Sequence, residues 1–190
     1  MKPEGDLNAA VDAIRSGRVV GMPTDTVYGL AVDPLDEEAV SRLFDLKGRP
    51  ENTPVGLLVS DLGQAESVGE IDGPARDLAR VHWPGALTLI VRPTVILADW
   101  VGDQQRRTVG LRVPDHPLAI EFLAMTGPLA VTSANRSGDM EAMSAEDARA
   151  VFGEMVAVYL PGVSPGGQAS TVVDVTGASP RVLRQGPVAV

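Results

Sequence analysis

A chain of 190 residues, 44% of them hydrophobic and none a cysteine, can bury one core but has no disulfides, thiolate metal sites or cysteine nucleophile. A net charge of −9 repels a nucleic-acid backbone unless cations gather locally, and the longest basic run is Arg106-Arg107. His82 and His116 are the only imidazoles, which disfavours a histidine-based metal cluster, and no stretch approaches the roughly 20 apolar residues of a membrane-spanning helix.

In chain order, Leu7, Val11 and Ile14 keep the i, i+4, i+7 spacing of an amphipathic helix, with Gly17 as its stop. A short buried strand follows at Val19 to Met22, broken by Pro23. A second helix is predicted from Asp36 to Leu46, with Asp36, Glu37 and Glu38 in the N-terminal turn that favours negative charge. Strands are expected at Val55 to Val59, Leu87 to Val91 and Val109 to Val113, with a helix from Pro74 to Val81 between the first two. Pro117 to Met125 reads as a helix with proline at its start, and Leu129 to Thr132 as a strand. Ser144 and Asp147 form a capping box for a helix to about Phe152, and the last strands are Val156 to Tyr159, Thr171 to Val175 and Arg181 to Leu183. Helices alternate with strands, yet several strands follow one another directly. A single α/β domain over 1–190 with a sheet of mixed direction is the expectation.

Neither a phosphate-binding Gly-x4-Gly-Lys loop, a Gly-x-Gly-x-x-Gly turn nor a Gly-x-Ser-x-Gly elbow occurs. Four polar segments stand beside apolar strands instead. Thr24-Asp25-Thr26 follows the first strand, where ligand contacts tend to lie; a turn in which Asp25 and Thr26 bond the backbone explains the same residues. Lys47 and Arg49 could grip polyphosphate as a compact charge and a fork, or simply complement a helix C-terminus. Thr108 and Arg112 are four apart and face the same way on a regular strand, suited to a carboxylate or phosphate or equally to a surface salt bridge. Ser133 and Asn135 supply a hydroxyl and an amide suited to phosphate or ribose, although a turn explains the same residues.

Taken in order, the segments PTDTVYGLAVD (23–33), LKGRP (46–50), WPGALTLIV (83–91), VGLRVPDHP (109–117), TSANRSG (132–138), STVVDV (170–175) and LRQG (183–186) resemble the YrdC family of threonylcarbamoyl-AMP synthases from about Leu7 to Val188. The resemblance implies an open, twisted mixed α/β sheet with helices and a large, positively charged concave cavity. It implies a reaction in which the amine of L-threonine captures bicarbonate or CO2 as a carbamate, which attacks the α-phosphate of ATP and expels pyrophosphate. The adenylate then passes to the threonylcarbamoyl transferase machinery that modifies tRNA. ATP would be held by Lys47, Arg49, Thr108, Ser133, Asn135, Ser144 and Arg184, and threonine by Thr26, Arg112 and Ser170, with Arg112 on the carboxylate. Magnesium would accompany the phosphates through ligands the resemblance does not name. A cytoplasmic location without membrane contact, and at most a weak RNA contact, complete the expectation. The alternatives are a family member that binds RNA or a ribosomal particle without making an adenylate, and the carbamoyl-transfer domain of hydrogenase maturation, which normally sits in a longer, cysteine-bearing chain. Relatives carry a histidine near threonine where this chain has Leu58, and Pro-Pro with Thr-Thr where it has Met140 to Ser144. Ending at Val190, the chain is expected to belong with the short, single-domain form.

Overall fold

The computed structural model describes residues 6–48 and 54–190. Its elements follow in the order α1 (Leu7–Arg15), β1 (Val20–Met22), β2 (Gly29–Val32), α2 (Glu37–Lys47), β3 (Gly56–Leu58), α3 (Leu62–Val68), α4 (Gly73–His82), β4 (Leu87–Val91), β5 (Val109–Arg112), α5 (Pro117–Thr126), β6 (Leu129–Ser133), α6 (Ala145–Phe152), β7 (Val158–Tyr159), β8 (Thr171–Asp174) and β9 (Arg181–Arg184). Local chemistry accounts for the helix ends. Asp36 accepts the backbone N–H of Ala39 at the start of α2, and Gly48 closes that helix in a left-handed turn at φ +60°, where a side chain would be strained. Ser144 accepts the Asp147 N–H at the start of α6, as the capping box predicts. Two elements escape the sequence patterns. β2 is a four-residue run, led by glycine and buried throughout, so it lacks alternation. α3 has only seven residues with a glycine in its first turn.

All nine strands form one sheet in the order β7-β1-β2-β6-β3-β5-β4-β8-β9. Three neighbours pair in parallel, β1 with β7, β3 with β5 and β4 with β8, and the rest are antiparallel. The mixed sheet therefore matches the expected class.

Helices cover the two faces unequally. On one face, Val40, Leu43 and Phe44 of α2, Ala65 and Val68 of α3, Ala75 and Ala79 of α4 and Phe152 of α6 bury a core against Leu30, Val32, Leu57, Leu87, Leu89, Val109, Leu111 and Val173. On the other, α1 and α5 pack Val11, Ile14, Phe122 and Leu123 over Val20, Met22, Ala31, Leu58 and Leu129, which spans only β1, β2, β6 and β3. Beyond Leu58 that second face carries no helix among the described residues. Period-2 alternation then assigns its residues: β4 points Leu87, Leu89 and Val91 into the large core and Thr88 and Ile90 to the open side, and β5 does the same with Val109 and Leu111 against Gly110 and Arg112.

Tyr28 fastens the loop before β2. Its ring is fully buried and its hydroxyl donates to the Leu160 carbonyl at 2.6 Å. Burial raises the Tyr28 phenol far above its ordinary range and pushes Tyr159 up to about 12. Above about pH 10 the unfolded chain releases both protons while the folded one holds them. The unfolded state then binds fewer protons, so stability falls as pH rises through that window. Tyr28→Phe is expected to remove its share of this alkaline slope. By leaving the Leu160 carbonyl unpaired, it should also cost about 1–3 kcal/mol near neutral pH. Urea denaturation at about pH 7 and about pH 11 measures both effects.

Candidate active site

The open half-face is the floor of a cavity with two adjoining lobes of about 290 and 330 Å³. Gly56, Leu58, Arg112, Val131 and Arg184 line both lobes. The first extends over Thr88, Ile90, Gly110, Val172, Asp103 and Thr108, the second over Thr24, Thr26, Gly29, Ser133, Glu141, Gly167 and Ser170. Small residues set its depth. A Cβ on Gly56 would come 3.0 Å from the Gly110 carbonyl oxygen, and one on Gly110 would meet Thr88 Cγ2 at 3.0 Å.

Of the ten residues expected to bind ligand, Thr26, Thr108, Arg112, Ser133, Ser170 and Arg184 line this cavity. Thr108 and Arg112 do face the same way, toward the first lobe. Arg49 lies outside the described residues. Ser144 is absent from the lining of either lobe, and its hydroxyl accepts the Asp147 N–H at the start of α6.

Lys47 and Asn135 sit behind the surface. The Lys47 ammonium, in a side chain only 3% exposed, donates to the carbonyl oxygens of Ser133 and Asn135 at 2.6 and 2.7 Å and to Asn135 Oδ1 at 3.0 Å. Asn135 Oδ1 also accepts from Ser133 Oγ at 2.7 Å, while its Nδ2 donates to the Asp139 carbonyl at 2.8 Å. These bonds fix the loop after β6 against the end of α2. The Tyr28 backbone joins the same loop to the one before β2, accepting from Ala134 N and donating to Ala142 O.

Arg112 is the most constrained cation in the cavity wall. Its Nε donates to the Gly85 carbonyl at 3.1 Å, Nη1 to Thr26 Oγ1 at 3.3 Å and Nη2 to Asp25 Oδ1 at 2.5 Å. Asp25 therefore does not make the turn that its sequence position suggests. Thr24 does so, accepting from Thr26 N and donating to the Val27 carbonyl. Ser170 joins the lobes: its hydroxyl lies 2.8 Å from Thr88 Oγ1 and accepts from Arg184 Nη2 at 3.2 Å, while Arg184 Nε donates to the Ser170 carbonyl. Thr88 is a contact that sequence reasoning passed over, although a lone Thr alternating with buried Leu87 and Leu89 marks an open face.

The described lining is balanced in charge, not positive as the resemblance implies. Arg112 and Arg184 are set against Asp103 and Glu141, and Arg112 is already paired with Asp25.

Lys47→Met is expected to lower the stability of the ligand-free protein by on the order of 1.5–3 kcal/mol, the worth of a hydrogen bond to a charged group. Thermal denaturation without nucleotide measures it. An unchanged midpoint would mean that the ammonium does not hold the loop.

Comparisons with known proteins give this cavity a context. The Sua5/YciO/YrdC family model, described as "Telomere recombination", matches residues 12–186. A Mycobacterium tuberculosis protein that provisionally bears the name threonylcarbamoyl-AMP synthase is 50% identical over 95% of this chain and 83% of its own length. The threonylcarbamoyl-AMP synthase of Bacillus subtilis is 34% identical over 94% of the chain, which spans about half (53%) of that longer protein. Among solved structures, Pyrococcus abyssi Sua5 complexed with L-threonine superposes with a TM-score of 0.87 at 35% identity, over 95% of this chain and 54% of that one. Escherichia coli YciO superposes with a TM-score of 0.84 at 28% identity, over 95% and 89% respectively. In sequence and in fold, this chain belongs to the Sua5/YciO/YrdC family.

Proposed function

We propose that this protein is a threonylcarbamoyl-AMP synthase, a nucleotidyltransferase that makes threonylcarbamoyl-AMP and pyrophosphate from ATP, L-threonine and bicarbonate or CO2. The observation that carries the reading is the convergence of Thr26, Arg112 and Ser170 on one lobe in a chain whose relatives are named for this reaction and one of whose structural neighbours is complexed with L-threonine.

In this reading the second lobe takes threonine, with its carboxylate on the free N–H groups of Arg112 and its hydroxyl toward Thr26 and Ser170. The nucleotide occupies the first lobe along Thr108. Its phosphates reach Arg184, which lines both lobes, and Ser133 of the second lobe, and Arg49 keeps the phosphate-binding role that the family resemblance gives it. The threonine amine, once deprotonated, adds to CO2, and a carbamate oxygen attacks the α-phosphorus as pyrophosphate departs with the bonding electrons. The bond-making groups all belong to the substrates. The protein contributes position and fixed charge, which can supply most of the acceleration in such a transfer. Lys47 and Asn135 act one step removed, by shaping the loop that presents Ser133. Magnesium enters this reading as the usual companion of ATP phosphates. Among the described residues no three or more carboxylate or histidine side chains converge as a cage for it.

The product is an activated acyl donor, and the reading places its use with the transferase machinery of tRNA threonylcarbamoyladenosine modification in the cytoplasm. A net charge of −9 favours this small-molecule chemistry over the RNA-binding alternative.

Pyrophosphate release, measured with ATP, bicarbonate and each amino acid in turn, tests the assignment. Release that depends on threonine is expected; release indifferent to the amino acid, or absent with all of them, sinks it. Arg112→Lys keeps the charge but loses the fork. It should raise the threonine requirement by about tenfold or more, as the loss of a charge-assisted hydrogen bond implies, with a smaller change for ATP.

A further inference from the structure

The Arg112–Asp25 pair raises a question that carboxylate binding alone does not answer. Both side chains are largely buried, 10% and 14% exposed, and they are joined at 2.5 Å. An arginine intended simply to attract an anion would be left unpaired, because a buried partner charge cancels much of its field. Asp25 is also absent from the lining of both lobes, so it acts through Arg112 and not on the ligand directly. Three of the five guanidinium N–H groups are committed, to Gly85, Thr26 and Asp25. One N–H on each terminal nitrogen remains. The only other charged side chains lining this lobe, among the described residues, are the exposed Arg184 and Glu141, which again balance.

We infer that Asp25 is a specificity-determining positioning residue: by neutralising Arg112 it makes the amino-acid lobe select a zwitterion over a simple carboxylate. This rests on the proposed role of Arg112. A net-neutral lobe receives a net-neutral ligand without leaving a charge uncompensated beside the largely buried Arg112–Asp25 pair. A ligand with a carboxylate but no ammonium brings one unbalanced negative charge, and burying such a charge is costly. Without the Asp25 charge the lobe becomes cationic and the preference is largely lost. A reaction that begins at the amine gains from this arrangement, because hydroxy and fatty acids of the same shape are kept out of the lobe.

Calorimetry with L-threonine and with 3-hydroxybutyrate, which is threonine lacking its amine, tests the inference on wild type, Asp25→Asn and Asp25→Glu. Wild type is expected to prefer threonine by about tenfold or more, the scale set by one charge-assisted contact. Asp25→Asn is expected to lose most of that ratio, through weaker threonine binding and equal or stronger 3-hydroxybutyrate binding. Asp25→Glu, which keeps the charge, should retain the preference. ATP binding and the thermal midpoint, read alongside, separate a folded variant from a damaged one. A wild type that binds both ligands equally overturns the inference without any variant. An unchanged ratio in Asp25→Asn, or an equal loss in Asp25→Glu, overturns it as well while leaving threonine as substrate. A wild type that binds no threonine overturns the proposed function and the inference together.

Discussion

Everything about this site follows from a shortage of helices on one side of the sheet. Six helices, among the described residues, serve nine strands, and only α1 and α5 lie on the second face. Their apolar stripes reach as far as Leu58 and stop. An apolar half-face left in water would be a liability, and the chain avoids it by composition. Where the covered side of β4 and β5 carries Leu87, Leu89, Val109 and Leu111, the open side mixes Ile90 with Thr88, Gly110 and Arg112. The cavity is thus a place where the fold stops covering itself, and its chemistry is written by every second residue of strands whose other residues build the core.

Rigidity there is obtained from backbone ties more than from packing. The loops bearing Thr24 to Thr26 and Ser133 to Ala142 meet at the Tyr28 backbone, whose ring is locked under β1. Lys47 fastens the second loop to α2, and Ser164 accepts the Thr24 N–H from a third loop. A buried ammonium surrounded by carbonyl oxygens is well satisfied, whereas the same ammonium without them would be expensive. The arrangement therefore favours one loop geometry strongly, which is what a site that works by position requires.

Much of this was legible in the sequence, and the misses have physical reasons. Long periodic segments such as Leu7 to Arg15 and strongly apolar strands such as Leu87 to Val91 declare themselves. β2 does not, because a strand buried on both faces has no alternation, and its Gly29 reads as part of a turn. Four residues of the polar segments, Thr26, Thr108, Arg112 and Ser133, line one cavity together with Ser170 and Arg184, which the family resemblance added. What the sequence could not convey is which polar group spends itself on another. Asn135 and Lys47, chosen as ligand donors, also bond each other across 88 positions of chain. Asp25 looks like a turn residue until Arg112, 87 positions away, is found on it. Ser144 was legible as a cap, and its hydroxyl accepts the Asp147 N–H.

The two outermost strands differ in a way that bears on how the molecule behaves in a crowd. β7, at one margin, is two residues long, too short to template another chain. β9, at the other, is exposed along its whole length, with Val182 and Leu183 at 41% and 46%, and would seem to invite a second copy. Its ends are Arg181 and Arg184, so antiparallel pairing of two such strands would set arginine against arginine, and like charges directly opposite are destabilising. Charge on an exposed margin is a common guard against edge-to-edge aggregation. The Arg184 that reaches over the cavity thus also helps keep the sheet from growing into its neighbour.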